Sequence, residues 1–396
     1  MNYILFDDHR WEQLLPLTFT RPIAELRIGI LKITEKWNKI LNTSCSFSTT
    51  DYLQTKYPLN IADDNILINS SVLPDDQFIE KLHQLKAGES ITKDADILAA
   101  RAGAEETKKL LGESEIDFNS FPYTEEIVII NRPWDLFSFN GEAIQRDFEL
   151  LTRDRKSQPL SATNNIVNPE NIFFEEGAKA EFVTINATGG PVYIGKDCEL
   201  MEGTIIRGPF AACDHAVTKL AAKIYGPTTL GPHVKVGGEL NNVVFQGYSN
   251  KAHDGFLGNA VIGEWCNLGA DTNNSNLKNN YAQVRLWDYA TEHFIKTGLQ
   301  FCGLIMGDHS KCAINTMFNT GTVIGVSANI FGEGFPRNFV PSFSWGGAHG
   351  FEVYSLRKAS EVASIVMQRR SMELTQADQE ILEEVFQRTQ KFRSHY

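Results

Sequence analysis

The sequence predicts an N-terminal α/β domain followed by a C-terminal left-handed parallel β-helix with terminal helices. Three observations carry this reading. Aliphatic residues recur every six positions through the second half, glycine follows many of them, and the first part instead mixes short apolar strands with amphipathic helical stretches. With 396 residues, 42% hydrophobic and 22% charged, there is material for two or three packed domains.

In the first part, Tyr3 to Phe6 is predicted as a short strand and residues 24–41 as an amphipathic helix. Asn65 to Asn69 and residues 126–130 follow as apolar strands, and residues 141–152 as a closing helix. The polar stretch 153–168, with Pro159 inside it and Pro169 after it, breaks that helix. A boundary there gives domains at 1–155, 156–345 and 346–396.

Beyond the boundary, stepping by six from Ile194 gives Leu200, Ile206, Ala212, Thr218, Ile224, Leu230 and Val236, all apolar except Thr218. A second phase runs Val244, Asn250, Phe256, Ile262, Leu268, and a third runs Met306, Cys312, Phe318, Ile324, Ile330. Each hexad reads as one flat strand plus a corner, so three make a coil and one position per hexad faces inward. Glycine after the aliphatic, as in Leu230-Gly231 and Leu268-Gly269, is expected to relieve the corner backbone. Such coils are left-handed, against the usual right-handed crossover rule. The phase slips between Val236 and Val244, and between Leu268 and Met306, are expected loops on a binding face. Past residue 345 the repeat stops. Residues 355–370 and 376–392 read as two helices that cap the solenoid or bind a neighbouring subunit.

Lysine plus arginine come to 37 against 49 acidic residues, a net charge of −12, which argues against a nucleic-acid partner. The N-terminus places Asp7 and Asp8 before any apolar run, and no stretch approaches a membrane span, so the cytoplasm is the expected location and no membrane partner is expected. Six cysteines lack paired spacing and are expected as reduced, buried thiols with no metal role.

The densest polar segment, residues 247–280, holds Lys251, His253, Asp254, Asn267, Asp271 and Lys278 on or beside corners. Stacked corners are spaced by roughly 4.8 Å, so His253 and Asn267 are expected to line one groove. An imidazole with a pKa near 6.5 suits proton removal from an amine attacking an acyl carbon, and the corner at 267–270 offers oxyanion donors. His215 lacks a second ligand at metal spacing and reads as a corner residue. His309 and Lys311 follow Gly307 at another corner and read as a solvated turn, with contact to a cofactor's phosphates as the alternative.

The segment KAHDGFLGNAVIGEWCNLGADTNN resembles the acetyltransferase half of the bifunctional N-acetylglucosamine-1-phosphate uridylyltransferase/glucosamine-1-phosphate acetyltransferase family, whose pattern is KAGH, YLG, an aliphatic-Gly hexad, then NIGAG. The resemblance implies acetyl-CoA as co-substrate, an amino sugar phosphate as acceptor, and a homotrimer with the acyl-CoA groove between subunits. It implies His253 as general base. Lys251, Phe256, Asn267, Arg21 and Asn131 are assigned to substrate, and Ala270, Lys278 and Lys311 to the cofactor. Phe256 replaces the family's tyrosine and Asp271 a glycine.

Residues 14–22, LLPLTFTRP, resemble the segment after the phosphate-binding loop of sugar-phosphate nucleotidyltransferases. The glycine loop that precedes it there is replaced by Asp7-Asp8-His9-Arg10-Trp11-Glu12-Gln13, and bulky, acidic residues oppose a triphosphate. The family's magnesium aspartate corresponds to Ser71, while its asparagine ligand corresponds to Asn131. The fold is expected to persist with nucleotidyl transfer weak, altered or absent, and Mg2+ is expected only if this domain is active. The alternatives to acetyl transfer are a sugar-1-phosphate uridylyl- or thymidylyltransferase, or a non-catalytic trimer that binds sugar nucleotides.

Overall fold

The computed structural model describes residues 1–112 and 116–394. They form two compact units. One comprises Met1–Leu14, Thr20–Leu26 and Leu31–Arg132, and the other comprises Leu15–Phe19, Arg27–Ile30 and Pro133–Tyr396.

The first unit is built on β1 (Asn2–Phe6), β2 (Ser46–Ser48), β3 (Asn65–Asn69), β4 (Glu89–Lys93), β5 (Asp96–Ala102) and β6 (Asn119–Pro122), in the order β2-β1-β3-β5-β4-β6. β1 pairs in parallel with β2 and β3, and β5 returns antiparallel to β3. Every residue of β3 is buried, as a central strand covered on both faces requires. The predicted helix over 24–41 is shorter than its apolar spacing suggests. Ile23–Glu25 is a single 3-10 turn, the chain then bends, and the helix runs only over Ile33–Leu41. The Thr34 hydroxyl donates to the Ala24 carbonyl at 2.8 Å, fixing the fold-back. Residues 126–130 contribute only an isolated bridge from Ile129 to Val72 instead of a strand.

The second unit is a left-handed parallel β-helix followed by helices. Its strands form one sheet of 13 strands and another of 10, parallel except for the final pair Ser344–Gly347 and Gly350–Val353. Ile194, Leu200, Ile206, Ala212, Ile224, Leu230 and Val236 all lie in one buried core, together with Met306, Cys312, Phe318, Ile324 and Ile330. Thr218, the polar member of the column, is buried with its hydroxyl 3.0 Å from that of Thr204. The second phase is shifted by one residue over part of its length. Phe245, Lys251 and Leu257 occupy the inner positions in place of Val244, Asn250 and Phe256, while Ile262 and Leu268 point inward as expected.

The glycines after the aliphatics are needed for close approach between coils. A Cβ on Gly231 would lie 2.1 Å from the Gln246 carbonyl oxygen, and one on Gly269 would lie 2.4 Å from the Ala313 carbonyl carbon. The expected corner relief is therefore supplied by the missing side chain rather than by an unusual backbone angle.

Between Leu268 and Met306 the chain leaves the coil as an antiparallel hairpin, Arg285–Asp288 with His293–Lys296. After the last coils come helices Leu356–Gln368 and Gln376–Arg388. Arg393 donates to the Ser342 carbonyl at 3.0 Å and Phe386 packs edge-on against Phe343 at 5.1 Å, so this end of the solenoid is capped. Along one corner, His215, His233, Tyr248, Trp265 and His309 stack ring on ring with centroids 4.6, 5.3, 4.3 and 6.4 Å apart. His215 is thus a corner residue. The six cysteines are buried and unbridged, and no helix among the described residues is long and apolar enough to cross a membrane.

Candidate active site

Successive coils turn one corner through four residues: 201–204, 219–222, 252–255, 269–272 and 313–316. The first coil turns it in three, 181–183, and one corner is shorter still. Between Val236 and Glu239 stand only Gly237 and Gly238, the latter at a φ of +74° that favours glycine. The register pairs Val236 with Lys251 and Glu239 with Phe256, so this short corner directly precedes the one that carries His253. This corner is two residues shorter than the His253 corner and its backbone packs against it, since a Cβ on Gly238 would lie 2.7 Å from the Gly255 carbonyl oxygen. The histidine is exposed, and its imidazole makes no hydrogen bond or ion pair among the described residues.

Lys251 lies inside the coil, where Val236 stands in the preceding one, and is 0% exposed. Its Nζ donates to the carbonyls of His253 at 2.8 Å, Asp254 at 3.2 Å and Gly237 at 3.3 Å. Burial lowers its pKa to about 8, against the opposing pull of Asp254, Cys312 and Asp271. The expectation that Lys251 contacts substrate is corrected by this geometry. Its three donors are spent on the main chain, and it ties the His253 corner to the short one.

Asn267 is exposed, but its register partners are Asn250 and Lys311, not His253. Continuing that register puts Ala270 one coil from His253, with Asn267 three positions back along the sheet. Ala270 is half-buried and its carbonyl accepts from the Asn315 amide at 2.8 Å. Phe256 is half-buried, and a Cβ on Gly258 would fall 2.5 Å from its ring, so glycine lets the ring lie against the sheet.

One residue per coil makes a polar ladder across this sheet: Lys235, Asn250, Asn267, Lys311, Asn329. Burial lowers the Lys235 pKa, and Arg370, Lys219 and Arg369 lower it further, which marks a concentration of positive charge on an otherwise acidic chain. Lys311 is half-buried, its pKa lowered by burial, and its Nζ donates to the His309 carbonyl at 2.8 Å.

Lys278 lies elsewhere in the unit, in an open cleft with Arg285, His293, Phe294, Thr320 and Asn338. Arg285 and His293 were not singled out by sequence reasoning. Their signal was the long interruption of the repeat, which the hairpin fills. The first unit holds Arg21, which is buried, and Asn131, whose Oδ1 accepts from Arg10 Nε at 2.7 Å. In the same unit Asp7 accepts from the Ile23 amide at 3.1 Å and the Thr49 hydroxyl at 2.7 Å, and burial raises its pKa to about 7.

Residues 3–156 match the family described as sugar nucleotidyl transferase. The bifunctional protein GlmU of Alkaliphilus metalliredigens is 26% identical over 34% of this chain and 34% of its own length. The putative uncharacterized acetyltransferase YaiX of Escherichia coli K12 is 26% identical over 38% of this chain and 66% of its own length. The chain thus spans about a third of GlmU in its match and somewhat under two thirds of YaiX. Among solved structures, an Arabidopsis UDP-N-acetylglucosamine acyltransferase matches over 59% of this chain and 91% of that one, at 15% identity and a TM-score of 0.27. The chain is therefore similar to the sugar nucleotidyl transferase family over residues 3–156 and, at 26% identity, to parts of GlmU and YaiX.

Proposed function

We propose that this chain is an acetyl-CoA-dependent N-acetyltransferase acting on an amino sugar phosphate, with His253 as general base. The observation that carries the reading is the exposed imidazole of His253, which makes no hydrogen bond or ion pair among the described residues and stands on a corner whose neighbour, Gly237-Gly238, is two residues shorter. The amine nitrogen attacks the thioester carbonyl carbon, a C–N bond forms and the C–S bond breaks. CoA leaves as the thiolate, and the amine proton passes to His253 and on to that thiolate. Fixing thioester and amine together supplies a high effective molarity.

In this reading Asn267 contacts the sugar or its acetyl group, Phe256 forms an apolar wall, and the Ala270 backbone lies along acetyl-CoA. Lys278, with Arg285 and His293 in its cleft, and Lys311 take the CoA phosphates. We divide the labour at 1–155, 156–345 and 346–396, with Arg21 and Asn131 on the sugar-nucleotide side. A homotrimer is proposed as the working assembly.

The test is thiol release from acetyl-CoA with a panel of amino sugars that includes glucosamine-1-phosphate. One acceptor should turn over, and His253→Ala should lower its rate by about a hundredfold or more with an unchanged circular dichroism spectrum. Full activity in His253→Ala refutes the assigned base. The match over residues 3–156 favours a second reading, sugar-1-phosphate nucleotidyl transfer, which would release pyrophosphate from UTP or dTTP.

A further inference from the structure

We infer that the N-terminal α/β unit carries a built-in cation: the Arg10 guanidinium fills the place where Asp8, Asp96 and Asn131 would otherwise hold a divalent metal.

The cluster gathers at one end of the sheet. Asp8 follows the carboxyl end of β1, Asn69 closes β3, Asp96 opens the antiparallel β5, and Asn131 follows the Ile129 bridge to Val72. That end of parallel strands is where α/β folds take their ligands. Asp8, His9 and Asp96 offer ligand atoms that all lie within 4.8 Å of one another. Two carboxylates, an imidazole and an amide oxygen make a donor set suited to Mg2+ or Mn2+. Asn131 is also the position that the nucleotidyltransferase resemblance assigns to a magnesium ligand.

Both Asp8 oxygens, Asp96 Oδ2 and Asn131 Oδ1 are nevertheless already engaged. Arg10 is 6% exposed. Its Nε donates to Asn131 Oδ1 at 2.7 Å, one terminal nitrogen pairs with Asp8 Oδ2 and the other with Asp96 Oδ2. The remaining Asp8 oxygen accepts from the Arg10 amide at 2.9 Å, and Asp8 Oδ2 also accepts from Asn69 Nδ2 at 2.8 Å. Asn69 Oδ1 in turn receives the Ser71 amide at 3.0 Å and the Ser71 hydroxyl at 2.6 Å. His9 is exposed, with Nδ1 3.7 Å from Asp8 Oδ2. A guanidinium cannot lose its proton in a protein, and its fork is satisfied here on three sides. A divalent ion would have to expel a buried cation from its own counter-charges. The residues present therefore do not fit magnesium, and any nucleotide bound by this unit binds without a metal held at this cluster.

Titrating the full chain with Mn2+ and reading the free ion by electron paramagnetic resonance tests this independently of acyl transfer. The wild type should take up no Mn2+ that depends on Asp96. Arg10→Met should gain one site, roughly tenfold or more tighter than anything in the wild type, and Asp96→Asn in that background should abolish it. Should Arg10→Met not fold, the wild type and Asp96→Asn decide alone: uptake lost in Asp96→Asn overturns the proposal, and uptake that is absent, or unchanged in Asp96→Asn, upholds it. A folded Arg10→Met protein without a new site also overturns it.

Discussion

The buried ammonium of Lys251 donates to the main-chain carbonyl of His253 at 2.8 Å, so the residue proposed as base is held by a neighbour two positions earlier in the chain. Burial sets the Lys251 pKa at about 8 against an ordinary 10.5. Between these values the unfolded chain binds a proton that the folded chain does not. The stability contribution is therefore fully present above the ordinary pKa and is lost as pH falls through the folded one. In denaturant unfolding, the difference between wild type and Lys251→Met should move in favour of the wild type by about 2 kcal/mol between about pH 8 and about pH 10. An equal difference at the two pH values would refute the buried ammonium.

Asn267→Ala removes an exposed amide whose side chain makes no hydrogen bond among the described residues. Its melting should stay within about 0.5 kcal/mol of the wild type. In the acetyl-transfer assay KM for the amino sugar should rise about tenfold with kcat largely kept, the pattern of a lost binding hydrogen bond. An unchanged KM removes Asn267 from the acceptor site.

Gly231 has no room for a methyl group, because a Cβ there meets the Gln246 carbonyl oxygen at 2.1 Å. Gln246 is itself fixed, its Oε1 receiving the Arg27 amide at 2.6 Å. Gly231→Ala should cost about 3 kcal/mol in chemical denaturation. A cost near zero would mean that neighbouring coils separate more easily than this packing implies.

Glu175 accepts from Arg155 at 2.9 and 2.6 Å and from the Tyr193 hydroxyl at 2.7 Å. Burial alone would raise its pKa, but these hydrogen bonds outweigh burial and lower it. The stability it supplies is present above the ordinary glutamate range and is lost as pH falls through the lowered value. Glu175→Gln should cost about 2 kcal/mol at neutral pH and progressively less in acid, as followed by thermal melting across pH. A pH-independent cost rejects the ion pair as the cause.

The inner column was legible because Ile194, Leu200 and their successors are apolar at a constant interval, and the core takes what that interval selects. The reading slipped at Asn250 and Phe256 because the true inner residue is Lys251, and a charge is admitted there only by three carbonyls drawn from two coils. The short corner beside that of His253 was visible only as a change of phase, since a deletion shifts the count without naming its neighbour. Arg285 and His293 were missed because a hairpin, not the repeat, brings them to Lys278. Arg10 was read only as an obstacle to phosphate. Its partners Asp96 and Asn131 lie 86 and 121 residues away, a juxtaposition that local spacing cannot encode.

The stacked rings from His215 to His309 give the solenoid an optical handle at its middle. Trp265 sits between Tyr248 and His309, so its emission is coupled to the spacing of its own turn and those on either side. Loosening near His253 would register there as a change in fluorescence, read from a chain whose other five tryptophans are replaced so that local breathing is separable from global unfolding.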